Sequence, residues 1–377
     1  MNRETQKSIV SLFSGAGGLD LGFEQAGFNV VFASDIDIRS CDTYLVNRKI
    51  DRNRVFAGDV NTLNANFGDF EKYFKDVDVV CGGPPCQGFS IANQQRIIDD
   101  PRNNLYRAYV TFVSNVKPKF FVMENVRGMA SKMTEIIQDF KNALNDEYDI
   151  AYAVLNAKNY GVPQNRERLF VIGNCVGVSS QQIFEDMKKR EYANFTLGDA
   201  ILDLPELKAK KEKNNSKVEN DDCGYVEKIY EYEKTEFYKY INGDREIYKL
   251  YNHKNRYNND RDIKIFSLLP QGGNSLHPSI ADIMPYTNRN HIFKDKYYKL
   301  KVDEVCRAIT AHMKFDCHMY IHPTQARGLS PREAARVQTF PDDYIFTGAF
   351  KDWYTQIGNA VPVKLAKAIG EQIIKWI

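Results

Sequence analysis

Residues 8–27 read Ser-Ile-Val-Ser-Leu-Phe-Ser-Gly-Ala-Gly-Gly-Leu-Asp-Leu-Gly-Phe-Glu-Gln-Ala-Gly. An apolar, β-rich run over residues 8–13 leads straight into glycines, which predicts a buried strand, a tight loop and a helix N-terminus. Bare backbone at such a turn lets a ligand lie against N–H groups at the positive end of the helix dipole. Phe13, Ser14, Gly15, Ala16, Gly17, Gly18 and Leu19 are the candidate lining residues. The pattern is a loose relative of the dinucleotide fingerprint, and by itself leaves nicotinamide or flavin binding open.

Outward from this stretch, strand-like runs recur at 29–33, 54–57, 77–81, 119–123, 151–155 and 168–173, with amphipathic stretches such as 105–116 and 134–145 between them. That rhythm predicts an α/β fold: a doubly wound, mostly parallel sheet with helices on both faces. The second strand runs into Asp35-Ile36-Asp37 and the third into Gly58-Asp59-Val60. An acid about 20 residues after the glycines suits ribose hydroxyls. Ile36 could cover an adenine face, and Asp59 could accept from an exocyclic amine. These positions together suggest an adenosine-bearing ligand, although each acid singly is as well explained as a helix N-cap.

Beyond about residue 190 the character changes. Residues 206–264 are rich in Lys, Glu, Asn and Tyr, and 219–236 hold seven acids and two lysines. Residues 286–301 hold five basic groups and one acid, interleaved with Tyr286, Phe293, Tyr297 and Tyr298. Solvated faces are the ordinary reading of charge runs, yet basic residues among aromatics also suit phosphate contact and base stacking. Regular, helix-like patterning returns at 331–339 and 363–377.

Composition narrows the class. The chain has 377 residues, 43% hydrophobic and 27% charged, as a soluble globular protein does. It has no apolar run of about 18 residues, which excludes a membrane-spanning helix. Its start leads into a strand with no leader pattern, and its seven scattered cysteines form no Cys-x-x-Cys pair. The expectations are a reducing, cytoplasmic setting and neither a disulfide framework nor a metal site. With a formal net charge of only +2, nucleic-acid binding would have to come from local charge asymmetry.

Residues 82–90, Gly-Gly-Pro-Pro-Cys-Gln-Gly-Phe-Ser, follow the strand at 77–81. Two prolines limit the loop's freedom and place one thiol, Cys86, at the carboxyl end of a strand, where open α/β sheets keep their chemistry. A lone cysteine is more often a small buried hydrophobe, but this setting does not resemble core packing. Glu124-Asn125-Val126 leaves the next strand, so its carboxylate could meet Cys86; a helix cap or solvated acid would explain it equally. Gln164-Asn165-Arg166-Glu167-Arg168 offers two guanidiniums near the same edge, suited to a carbonyl oxygen, a phosphate or a surface ion pair.

Six blocks, at 13–18, 84–90, 124–126, 164–168, 327–336 and 356–361, occur in the order seen in bacterial DNA (cytosine-5)-methyltransferases, and the chain resembles that family. The resemblance spans 8–174 and 327–377. It implies the S-adenosylmethionine-dependent methyltransferase fold, with residues 1–190 and 340–377 as catalytic domain and 191–339 as a smaller, irregular target-recognition domain. It implies Cys86 as nucleophile, Glu124 at the N3 and N4 edge of cytosine, Arg168 at O2 and Arg166 as a second positioning arginine. S-adenosyl-L-methionine would be lined by the glycine loop with Asp35, Ile36, Asp59, Val60, Pro84, Leu105, Asn359 and Val361. Double-stranded DNA would be met by Gln87, Ser90, Gln271, Gly272, Lys294 and Lys296, with Arg332 bracing the recognition domain and grouped with these contacts. Lys299 and Lys301 would join in neutralising phosphates, and 271–275 would form a flexible reading loop. A cognate restriction endonuclease acting separately is an admissible partner. Family members often carry an aromatic residue where Ile36 stands, so a weaker adenine contact is expected.

Overall fold

The computed structural model describes residues 6–85, 105–212, 217–285 and 296–377; Cys86, Gln87, Ser90 and Lys294 lie outside them. The chain forms two compact units: Met1–Gly161, Arg166–Ala193 and Ala360–Ile377 make the first, and Val162–Asn165 with Asn194–Asn359 the second.

In chain order the elements begin β1 (Ser8–Leu12), α1 (Gly18–Gln25), β2 (Asn29–Asp35), α2 (Ile38–Val46), β3 (Val55–Ala57), α3 (Val60–Ala65), α4 (Phe67–Phe70) and β4 (Val79–Gly82). They continue with α5 (Leu105–Val116), β5 (Phe120–Val126), α6 (Met133–Ala143), β6 (Asp149–Asn156), the two-residue β7 (Gln164–Asn165), β8 (Glu167–Asn174) and α7 (Ser180–Lys188). Seven strands of the first unit form one sheet in the order β3-β2-β1-β4-β5-β8-β6. From β3 to β5 every pairing is parallel, and β8 runs antiparallel to both its neighbours. This is the expected doubly wound, mostly parallel sheet.

Its central strands are apolar on both faces, as a sheet covered by helices requires. Val10, Leu12, Phe121, Met123, Leu169 and Val171 point into one core with Leu63 of α3, Phe112 of α5 and Phe140 of α6. The alternate residues Ile9, Phe120, Val122, Phe170 and Ile172 are equally buried toward the other face. There α1 packs against α13 (Val363–Ile373), the last α-helix. Glycines allow the approach: a Cβ on Gly22 would lie 2.4 Å from the Ala366 Cβ, and one on Gly370 2.9 Å from that of Ala26.

The second unit contains α8 (Leu197–Ile201), β9 (Gly224–Ile229), α9 (Glu236–Asn242), β10 (Lys249–Lys254), α10 (Asp260–Leu268), β11 (Cys306–Arg307), α11 (Pro331–Val337) and α12 (Phe350–Asn359). β9 and β10 pair antiparallel, and β11 pairs with β7. Small apolar clusters, one of Leu204, Tyr232, Tyr238, Ile247 and Leu250, explain how a segment poor in apolar periodicity folds. At the centre lies α11, started by a Ser330–Glu333 capping box with Pro331 in its first turn. Its charges are buried in pairs: Arg327 with Glu333 at 2.6 Å, and Arg336 with Asp342 at 2.7 Å.

The boundary expected at 339/340 falls instead at 359/360. Residues 340–359 are tied into the second unit by reciprocal side-chain bonds. The Asn242 amide donates to Asp342 (2.9 Å) and accepts from its N–H (2.8 Å), while the Asn252 amide does the same with the backbone of Phe346 (3.0 Å each). Among the described residues no helix is long and apolar enough to cross a membrane.

Candidate active site

In the first unit, the carboxyl ends of β1, β2, β4 and β5 share one edge of the sheet, with Leu12 paired to Gly82 and Gly82 to Met123. The winding reverses between β1 and β4, the place where open α/β sheets bind ligands. The glycine loop leaves β1 here. Phe13, Gly15 and Gly17 adopt positive φ (53°, 54° and 79°), a conformation only the glycines take without strain. Ser14 bonds the Ser34 carbonyl through its N–H (2.9 Å), and the Gly15 N–H donates to Asp35 Oδ2 (2.8 Å). Asp35 Oδ1 accepts from the Asp37 N–H (2.8 Å), and burial pushes the Asp35 carboxyl up. Ile36 follows it with 74% of its surface exposed, and a Cβ on Gly15 would meet nothing within 4 Å. Ala16 and Leu19 are buried behind the loop.

Asp37 and Asp59 are helix N-caps, accepting from Arg39 and Asn61 N–H groups. Asp59 is exposed, whereas the Val60 side chain belongs to the core, so a ligand could reach Val60 only through its backbone. Leu105 is half-buried at the start of α5. Val361 is buried in the first unit, and Asn359 ends α12 in the second.

Two supports of the loop have no local sequence signal. Arg48 donates to the Gly17 carbonyl (2.8 Å) and to Glu24 (3.0 Å), and lies 4.0 Å over the Tyr44 ring. Its guanidinium occupies the space a Gly17 Cβ would need. Asp20 is fully buried under the loop, accepts from the Ser11 hydroxyl (2.7 Å) and has its pKa raised by burial.

At the same edge, Glu124 near the end of β5 meets Arg168 near the start of β8. Arg168 Nε donates to Glu124 Oε1 at 3.0 Å, and the side chains are 18% and 12% exposed for Arg168 and Glu124. The pair exists because β5 and β8 run antiparallel: Glu124 opposes Phe170, and Arg168 lies two residues along on the same face. Burial pushes the Glu124 carboxyl up, against the pull of Arg168 and Arg166, and lowers the Arg168 guanidinium. Gly83 borders the carboxylate closely; a Cβ there would stand 3.0 Å from Glu124 Oε2. Arg166 is buried and donates to the Ala360 carbonyl (3.0 Å), so it acts on this corner by charge and packing.

Asn125, beside Glu124, is buried and donates to the Pro84 carbonyl (2.7 Å). Its Oδ1 accepts from the Val126 N–H (2.9 Å). It thereby anchors the described start of the loop that leads to Cys86.

In the second unit several expected DNA contacts are corrected. Arg332 is wholly buried, and its guanidinium donates to the carbonyls of Tyr251, Pro341 and Tyr344 (2.7, 3.0 and 2.6 Å). It is a brace and cannot reach DNA. Lys299 is also buried, with Nζ on the Phe266 carbonyl (3.0 Å), and Lys301 pairs with Glu304. The Gln271–Gly272 turn is pinned, which removes the expected flexible loop: the Gly272 N–H donates to the Lys299 carbonyl (2.8 Å), and Gln271 Oε1 accepts from the Val302 N–H (3.0 Å). Lys296 is half-buried.

The C-5 cytosine-specific DNA methylase family matches residues 7–375. Type II methyltransferase M.MthTI of Methanothermobacter thermautotrophicus is 36% identical over 97% of this chain and 97% of its own. M.DdeI of Desulfomicrobium norvegicum is 34% identical over 97% and 88%. A solved chain described as a DNA modification methyltransferase encoded within an E. coli prophage superposes with a TM-score of 0.75 at 26% identity, covering 98% of this chain and 99% of that one. The chain therefore belongs to the C-5 cytosine-specific DNA methylases, enzymes that methylate carbon 5 of cytosine in DNA.

Proposed function

We propose that the protein transfers a methyl group from S-adenosylmethionine to C5 of a cytosine flipped out of duplex DNA, through a covalent bond between Cys86 and C6. The observation that carries this reading is the largely desolvated Glu124–Arg168 pair beside Gly83, on the loop that runs on to Cys86. A carboxyl kept toward its protonated form and a guanidinium at 3.0 Å offer the donors and the acceptor that a cytosine edge demands.

Cytosine C5 is a weak nucleophile. Thiolate attack at C6 pushes electrons toward N3 and leaves C5 enamine-like, dividing one hard step into easier ones. Glu124 would hold the proton at N3 and accept from N4, while Arg168 would offset charge growing on O2. The C5 proton then leaves to a base and the Cys86–C6 bond breaks, restoring the aromatic ring. Bound S-adenosylmethionine supplies an electrophilic methyl on a sulfonium sulfur. The open space at Gly15, the exposed Ile36 beside half-buried Asp35 and the N-terminus of α1 fit an adenosine-bearing group. Within the first unit, Asp59, Pro84, Leu105 and Val361 complete the proposed lining.

Because C6 is covered by neighbouring bases in a stacked helix, the cytosine has to leave the stack. The second unit would read the sequence around it, with Gln87 and Ser90 on the Cys86 loop, and Gln271, Gly272, Lys294 and Lys296, as candidate DNA contacts. The type II relatives support a role beside a separately acting restriction endonuclease. Bisulfite sequencing of plasmid DNA from cells expressing the protein tests the reading. Protected cytosines within one recurrent sequence are expected, absent with Cys86→Ser. Unprotected DNA together with methylated tRNA would overturn it.

A further inference from the structure

The 311–316 segment of the second unit carries an exposed aromatic ring on a rigid support. Phe315 is 65% exposed, although the turn bearing it is bound from several sides. The Arg256 guanidinium donates to the carbonyls of Met313 and Phe315, each at 2.6 Å. The Phe315 N–H donates to the His312 carbonyl (2.9 Å), and Met313 and Cys317 are buried on either side. On a third side α12 presents Gly358, where a Cβ would lie 2.2 Å from the Ala311 N, so helix and turn touch backbone to backbone. A turn held this way cannot collapse to cover its ring.

One cation stands over the ring. Lys314 Nζ lies 5.0 Å from its centre and the His312 ring 5.3 Å away. The adjacent acid, Asp316, accepts from the His318 N–H (3.1 Å) and also faces the His318 ring. The comparison with Tyr248 is telling. It is equally exposed, but its hydroxyl bonds Glu246 near the acidic 219–236 run, where a polyanion would be repelled.

We propose that the 311–316 turn is a DNA-contacting surface in which Phe315 stacks on a base and Lys314 faces a phosphate. The inference rests on the DNA-methylating reading above, and names residues to which the sequence assigned no role. A rigid aromatic face is useful to an enzyme that must unstack its substrate, since base–aromatic stacking replaces a lost neighbour. Arg256 is the positioning residue, holding the turn without touching DNA.

The test uses the full chain and a fluorescent duplex carrying the sequence found by bisulfite mapping. Phe315→Ala is expected to weaken binding about 10- to 100-fold while leaving the slope of log Kd against log salt unchanged, and Phe315→Tyr to restore it. Lys314→Ala should reduce that slope by about one. Tyr248→Ala, the exposed aromatic among acids, should bind as the wild type does. If the wild type methylates the duplex and Phe315→Ala binds it equally well, this inference is overturned and the proposed function stands. If the wild type neither binds nor methylates duplex DNA, both fall. Equal thermal midpoints for Phe315→Ala and the wild type, expected for so exposed a ring, assign any loss to the interface.

Discussion

In the proposed mechanism, Glu124 is the residue on which most of the chemistry turns. Its neutral form is favoured by burial, while Arg168 and Arg166 oppose that shift. Glu124→Gln keeps the size and one donor but cannot hold the moving proton. Turnover is expected to fall about 10²- to 10⁴-fold, with the KM for S-adenosylmethionine changed only a few-fold. Steady-state kinetics with both substrates varied will check this, and an unchanged kcat would remove Glu124 from its role. Asn125 differs in kind, because it acts on the Pro84 carbonyl and through it on the loop. The resemblance singles out Glu124 and Arg168, and their salt bridge needs only the antiparallel pairing. Asn125 and Arg48 were not legible. Both act on backbone carbonyls distant in sequence, Pro84 and Gly17, and such contacts leave no mark on residue type.

Among the elements, β1, α1 and α13 show how the proposed cofactor crevice depends on distant packing. Gly22 permits the helix contact, and Gly22→Ala puts two opposed tendencies into one position. Alanine favours the helix by up to about 1 kcal/mol. Its Cβ would, however, meet Ala366 Cβ at 2.4 Å and the Val363 carbonyl at 2.5 Å, and overpacking of that kind typically costs about 1–3 kcal/mol. The clash should win. Urea denaturation is expected to show a lower midpoint for Gly22→Ala, and a raised midpoint would show that the helices can separate freely. The strands were legible because β-branched apolar runs bounded by turns have few other uses. Helix α5 was read with its observed limits, and α6 within two residues at each end. The pinned turn at Gln271 was misjudged as flexible, since its tethers come from Lys299 and Val302, remote in sequence.

On the scale of the whole molecule, two buried histidines of the second unit and three carboxyls of the first titrate in opposite senses. In the second unit His253 is buried between the Ser330 hydroxyl (3.0 Å) and the Pro205 carbonyl (2.8 Å), and burial lowers it to about 4. His322, buried beside the Arg327–Glu333 pair, falls to about 3. Both are neutral in the fold, so the stability they contribute is complete above about pH 6.5 and is lost as pH falls toward 4. For His253 the loss approaches about 3 kcal/mol. Asp20, Asp35 and Glu124 in the first unit are raised by burial, so acid relieves their charge and favours that fold. Acidification should therefore unfold the second unit first. The chain's two tryptophans fall one in each unit, Trp353 in the second and Trp376 in the first. In a Trp376→Phe background, the urea midpoint of Trp353 emission is expected to drop between pH 7 and pH 4.5; a constant midpoint would contradict the assignment. The limit of the first unit at 359/360 leaves no local sign in the sequence, because Asn242 and Asn252 reach about a hundred residues along the chain.

All of these scales meet at the sulfur of Cys86. Fluorine at C5 cannot depart as the proton does, so a duplex with 5-fluorocytosine at the target should arrest the reaction after C6 attack and methyl transfer. Mass spectrometry of the peptide containing Cys86, after incubation with S-adenosylmethionine and such a duplex, measures this directly. The expected result is a denaturation-resistant adduct on Cys86, formed only with cofactor and lost with Cys86→Ser. A fully methylating enzyme that yields no adduct on Cys86 would contradict the covalent mechanism.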